Sequence, residues 1–291
     1  MSKVIDVHVH LTPPEIAAHR AAYIAGEGAW AGLYHDSKAK MVTTEDLLAM
    51  MDEEGVDQSV VMGFPWSRED TAKQHNEWLL SEAAKHPDRL IPLAAFDALA
   101  PWAPKHAEAM LKAGMAGLGE LAFYDRGFGP VELDALEALG SLCQAQGKLF
   151  LMHVNEPIGH NYYGKAPLEI GQIQALVQRC QGVKLILAHF GGGLPLMASL
   201  KKEVKEYLAD VRFDTAAMPY LYQPEAMAMA LKVLGPEHFL MGTDYPLLKP
   251  SRYRKFLTDA GLSAEEMELV MGEAARSFLN SPYPPTCACG E

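Results

Sequence analysis

The sequence predicts an α/β fold in which eight parallel strands close into a (β/α)8 TIM barrel, and three observations lead there. Short runs rich in Val, Ile, Leu and Phe recur along the chain, separated by longer stretches with helical spacing. Such alternation implies a parallel sheet, because each strand needs a crossover long enough to return to the same end. Eight units fit within 291 residues, near the size of about 250 residues at which a barrel forms a single domain. Residues able to bind a metal also fall repeatedly at the ends of these runs. An open doubly wound sheet is the structural alternative.

In chain order the strand candidates are Val4–His10, Gln58–Phe64, Leu90–Phe96, Gly117–Phe123, Leu149–Val154, Lys184–His189, Val211–Thr215 and Phe239–Asp244. Helical stretches lie between them. Thr43-Thr44-Glu45-Asp46 opens one with a cap residue and early carboxylates, and Gly55 closes it. Others end near Gly114, Gly147, Gly182 and Gly235. Pro101, Pro167, Pro195 and Pro224 sit near helix starts, where a missing N–H costs little. Residues 1–280 thus read as one catalytic domain, with residues 11–42 as an insertion over the barrel mouth that carries a short helix at Glu15–Ala25. Residues 281–291 read as a tail after the Pro-rich Ser281-Pro282-Tyr283-Pro284-Pro285.

Composition narrows the function. A formal charge of −12 repels a polyanion and argues against nucleic-acid binding. No apolar run is long enough to cross a membrane, and the first residues enter a strand pattern directly, so the expectation is a cytoplasmic protein acting on a small molecule. A homodimer is the commonest default for its oligomeric state. Cys143 and Cys180 fall in helical stretches and read as core residues, while Cys287 and Cys289 form a C-x-C in the tail that carries no mechanism.

The chemistry begins at Asp6-Val7-His8-Val9-His10. Alternate side chains of a strand share one face, so Asp6, His8 and His10 point the same way. Two imidazoles about 6.8 Å apart along the strand can converge on one ion. A single strand histidine is ordinarily a hydrogen-bonded core residue. However, His153, His189 and Asp244 each end a later apolar run, and in a barrel those ends gather at one rim. Glu120 lies in the fourth strand, where a carboxylate buried on both faces needs a cation or a donor. It reads as a metal ligand bridging two ions, or else as half of an ion pair.

This set resembles the amidohydrolase superfamily, and within it the amidohydrolase-related branch that includes aminocarboxymuconate-semialdehyde decarboxylase. The resemblance runs from Asp6 to Asp244 and the helices beyond. It implies that His8, His10 and Asp244 bind a first metal. It also implies that His153 and His189 bind a second, or that His153 alone completes a one-metal site. Glu120 stands where some members carry a bridging glutamate, which favours hydrolysis. Mixed His and carboxylate ligands suit Zn2+, with Mn2+, Fe2+ or Ni2+ as alternatives. Asp244 would take the proton of a metal-activated water, with His189 the second catalytic residue, while Asp6 would lie deeper as a hydrogen-bond acceptor.

The expected activity is therefore metal-dependent hydrolysis of a C–N, C–O or phosphoester bond. The alternative is a one-metal decarboxylase of an aromatic or enoic acid, and a non-catalytic metal binder is the third reading. His160, Tyr163 and Lys165, in the polar loop after His153, are the candidates for substrate contacts. Arg68, Arg126 and Lys249 follow strands two, four and eight, where each either pairs with a substrate carboxylate or is simply solvated. Gly191-Gly192-Gly193 either presents N–H groups to an anion or lets the chain clear a crowded rim.

Overall fold

The computed structural model describes residues 3–281. All eight expected strands are present, as β1 (Ile5–His10), β2 (Gln58–Met62), β3 (Leu90–Ala94), β4 (Gly117–Leu121), β5 (Leu149–Met152), β6 (Lys184–Leu187), β7 (Arg212–Asp214) and β8 (Phe239–Leu240). They pair in parallel in sequence order. The barrel closes through the segment after β8, where the N–H of Val7 donates to Met241 O at 2.8 Å and that of His10 to Tyr245 O at 2.9 Å.

The observed strands end earlier than the apolar runs suggest. His153, His189 and Asp244 stand just beyond β5, β6 and β8, on backbone that has turned away from the sheet. His189 and Asp244 have φ of 52° and 56°. These left-handed conformations swing both side chains across the mouth, and neighbouring hydrogen bonds must hold a non-glycine residue there.

Two apolar layers carry the frame. The barrel interior is filled by Ile5, Val7, Val60, Leu93, Leu151, Ile186 and their neighbours, and Ala275 and Phe278 of the C-terminal helix Ala274–Asn280 pack against that layer. A larger layer lies between sheet and helices. Local signals set the helix ends: Thr43 and Asp46 form a reciprocal capping box, and Gly55 ends that helix at φ 69°.

Residues 11–42 form a folded wall. They contain helix Pro14–Ala18, a 3-10 turn at Arg20–Tyr23 and helix Gly28–Tyr34, so the single expected helix at Glu15–Ala25 is broken. Trp30, only 1% exposed, packs against Tyr34 at 4.3 Å and Trp66 at 4.4 Å between ring centroids. The buried Glu27 carboxylate accepts the N–H groups of Ser67 and Arg68 at 3.1 and 2.9 Å. Those contacts fasten the wall to the loop after β2.

Cys143 and Cys180 are free and buried. Cys287, Cys289 and the rest of the tail after residue 281 lie outside the described residues. Among the described residues no helix is long and apolar enough to cross a membrane.

Candidate metal centre

The strand ends bring His8, His10, Glu120, His153, His189 and Asp244 together. His8 Nε2 and His10 Nε2 are 3.1 Å apart. Asp244 Oδ1 lies 3.7 Å from the first and 3.4 Å from the second. Glu120 reaches across from β4, with Oε2 3.8 Å from His8 Nε2 and 3.6 Å from His10 Nε2. Its other oxygen meets His153 Nδ1 at 3.0 Å and His189 Nε2 at 3.4 Å. Two overlapping groups have the spacing to hold an ion: His8, His10 and Asp244, and His8, Glu120 and His189.

The outer hydrogen bonds of the rings decide what faces inward. His8 Nδ1 donates to Asp214 Oδ2 at 2.8 Å, and His10 Nδ1 donates to Gly63 O at 3.2 Å. A carboxylate or carbonyl can only accept, so each ring carries its proton on Nδ1 and aims the Nε2 lone pair at the cluster. His153 is reversed: Nε2 donates to Gly164 O at 2.8 Å, and Nδ1 faces Glu120 Oε1 at 3.0 Å. His8 and His10 thus present lone pair toward lone pair beside the Glu120 and Asp244 carboxylates. Such a collection of acceptors fits a divalent cation, and its imidazole and carboxylate chemistry is that of a metal site.

Without a cation, protons supply the positive charge among these carboxylates. Burial pulls the His8 imidazole down, but Asp214, Glu120 and Asp244 overcome it and raise the group to about 10. Burial opposes ionisation of Glu120, yet His153 and His8 hold it well below the usual carboxylate range. Asp244 is likewise lowered against its burial, by the hydrogen bond of His10 and the charge of His8. For His189, burial is outweighed by Glu120 and Asp244, so the ring is raised. Its Nδ1 donates to Ala216 O at 3.2 Å, and Nε2 lies 3.2 Å from Nδ1 of His153.

Asp214, at the end of β7, was not singled out by the sequence reading. One of its oxygens holds His8, while the other accepts the N–H groups of His189 at 2.8 Å and Ala216 at 3.0 Å. The signal was present: a carboxylate ending an apolar parallel strand, the same feature that marks Glu120. Asp6 lies deeper, where its carboxylate accepts the hydroxyl of Thr243 at 2.5 Å and the N–H groups of Thr243 and His8. It ties β1 to the turn that carries Asp244. Burial pushes its carboxyl up to about 7 despite those bonds.

The loop after β5 is arranged otherwise than its composition suggests. Lys165 pairs with Glu156 at 3.0 Å and donates to the carbonyls of Ile158 and His160, so its charge is used within the loop. Tyr163 is 79% exposed, and its ring lies against the Gly32 backbone of the wall. His160 is exposed beside Tyr162, with ring centroids 5.9 Å apart. Arg68, Arg126 and Lys249 pair with Asp70, Asp125 and Glu53. Gly191-Gly192-Gly193 all take positive φ in the turn after His189.

The family model described as amidohydrolase matches residues 5–280. No curated protein matches the chain. Among solved structures, 5-carboxyvanillate decarboxylase from Sphingomonas paucimobilis is similar at a TM-score of 0.69 and 18% identity, covering 97% of this chain and 100% of that one. A dihydroxybenzoic acid decarboxylase from Polaromonas sp. JS666, with bound manganese and the inhibitor 2-nitroresorcinol, gives 0.67 and 17% over 96% and 97%. A 2,6-dihydroxybenzoate decarboxylase from Rhizobium gives 0.66 and 17% over 96% and 99%. At these identities the likeness establishes the fold. The expectation of a hydrolase is corrected here, because these whole-chain neighbours are decarboxylases of aromatic acids. Glu120 packs between two histidine pairs, a placement that does not by itself select hydrolysis.

Proposed function

Because the chain belongs to the amidohydrolase family, with residues 5–280 matched, we propose that it is a divalent-metal-dependent decarboxylase of an aromatic carboxylic acid. The observation that carries this reading is its whole-length likeness to decarboxylases of hydroxylated benzoic acids. The cluster of imidazoles and carboxylates supports it. His8, His10 and Asp244 would hold one ion, with His153 at its border as the resemblance implies. Manganese is the ion to load first, since it is bound in the Polaromonas neighbour, and zinc is the comparison. When bound, the ion supplies fixed positive charge that anchors an anionic substrate and offsets charge developing on its ring.

The remaining chemistry falls to the chain itself. Decarboxylation converts ArCO2− and a proton into ArH and CO2: the C–C bond breaks, its electron pair stays on the ring carbon, and a proton must arrive there. His189 is the donor in this reading. Its Nε2 faces the cluster, Ala216 O fixes the ring through Nδ1, and Glu120 favours its protonated form. The wall of residues 11–42 limits water at the mouth. Manganese-loaded protein should release CO2 from 2,6-dihydroxybenzoate. Chelation should abolish the release, and added Mn2+ should restore it. His189→Asn should cost about 10²- to 10⁴-fold in kcat, the usual worth of a positioned proton donor, with metal content unchanged. Metal-loaded protein that releases no CO2 from any hydroxylated benzoic acid would overturn the reading.

A further inference from the structure

We infer that Tyr34 and Tyr124 form a phenol pair that selects a hydroxylated aromatic acid carrying a single carboxylate; the inference rests on the decarboxylase reading above. Three mouth segments each contribute one ring. Tyr34 ends the wall helix, Phe64 follows β2 directly after the carbonyl that orients His10, and Tyr124 follows β4. Tyr34 and Phe64 meet edge to face at 6.1 Å, Phe64 and Tyr124 stack at 6.3 Å and 15°, and Tyr124 lies 5.0 Å from the His153 ring. The row of rings therefore leads into the donor cluster, and an aromatic substrate placed there has faces to pack against.

The hydroxyls give this surface its selectivity. Three other tyrosines around the mouth have hydroxyl partners: Tyr162 donates to Glu156, Tyr222 to His189 O and Tyr253 to Thr243 O. Tyr34 and Tyr124 have no such partner among the described residues. Burial and the charges of Asp244 and Glu120 push both phenols up, so they remain hydrogen-bond donors. Both hydroxyls are thus free to donate to a substrate hydroxyl or phenolate oxygen.

Charge sets the second half of the choice. Five basic groups on the mouth segments are already engaged. Arg20 donates to the carbonyls of Asp36 and Ala39, and Lys165 pairs with Glu156. Arg68, Arg126 and Lys249 pair with their own carboxylates. A second substrate carboxylate would meet neutral phenols beside Glu120 and Asp244, an unfavourable setting for an anion.

The test uses manganese-loaded wild type, Tyr34→Phe, Tyr124→Phe and the double variant. Turnover is measured on 2,6-dihydroxybenzoate and on the dicarboxylate 5-carboxyvanillate, and 2-nitroresorcinol binding by calorimetry. Wild type should favour the monocarboxylate by about 100-fold in kcat/KM. Each Phe variant should raise KM for it about 5- to 10-fold, the worth of one lost hydrogen bond. Inhibitor binding should weaken in step, while metal content and Tm stay unchanged. Unchanged KM and inhibitor affinity, or a preference for the dicarboxylate, would overturn the inference. If wild type releases no CO2 but binds 2-nitroresorcinol through these hydroxyls, the decarboxylase reading fails and the phenol pair stands. Equal inhibitor binding by all four proteins would sink the pair itself.

Discussion

Replacing Asp214 by Asn tests how the centre is held together. The substitution keeps size and one acceptor oxygen, so the N–H groups of His189 and Ala216 can still be satisfied. It turns the second oxygen into an NH2 group that meets the His8 Nδ1–H across what is now a 2.8 Å bond. Donor against donor is relieved when His8 moves its proton to Nε2, and that proton then points at His10 Nε2 instead of leaving a lone pair for an ion. The loss is a charge-assisted hydrogen bond of about 1.5–3 kcal/mol, or about 10- to 100-fold in metal affinity. Competition for Mn2+ against a fluorescent chelator at pH 7.5 reads this directly, with the thermal midpoint of the metal-free protein as the control for folding. An affinity within about twofold of wild type in a folded variant would show that Asp214 does not set the orientation of His8.

Three further outcomes follow from the same contacts. Glu120→Gln removes the buried charge shared by the two histidine pairs, so elemental analysis should find about one equivalent of metal in wild type and a binding constant at least tenfold weaker in the variant; equal affinity would leave Glu120 a packing residue. Gly63→Ala places a Cβ 2.7 Å from the His75 ring, which should cost about 1–3 kcal/mol in denaturant unfolding and displace the carbonyl that orients His10; an unchanged midpoint would refute the contact. His75 is buried and its pKa is depressed from 6.5 to about 4, so the unfolded chain takes up the proton first. Its contribution is full above pH 6.5 and lost as pH falls toward 4, about 3 kcal/mol in all. His75→Gln can still bond Trp66 Nε1 and Leu11 O, and urea titrations of it should show a flatter slope across that window; parallel curves would refute the assignment.

The frame was legible because its signals are local and repeated. Each strand is a short apolar run, and capping chemistry such as Thr43 with Asp46 and Gly55 marks helix ends within a few residues. Eight such units admit few closed arrangements, so topology followed from count. What stayed hidden depends on distant partners. Helix Gly28–Tyr34 gains its place from Trp30 packed on Trp66 and from Glu27 bound to backbone beyond β2, contacts that span some 40 residues and leave no periodic trace. The wall therefore read as an insertion of uncertain shape. Lys165 illustrates the converse, since its type suggested a substrate contact and only the fold shows its charge spent on Glu156.

The site was legible in membership more than in role. His8, His10, Glu120, His153, His189 and Asp244 were found because a strand end is a place in space as well as in sequence. Roles depend on the other nitrogen of each ring, and those partners (Asp214, Gly63, Gly164 and Ala216) lie on four different segments. Those partners fix which nitrogen of each ring faces the cluster. A hydrolase needs a group that takes a proton from water, whereas a decarboxylase needs one that delivers a proton to carbon. With Nδ1 held by Ala216 O and Nε2 facing Glu120, His189 is the group placed to deliver a proton in the proposed decarboxylase.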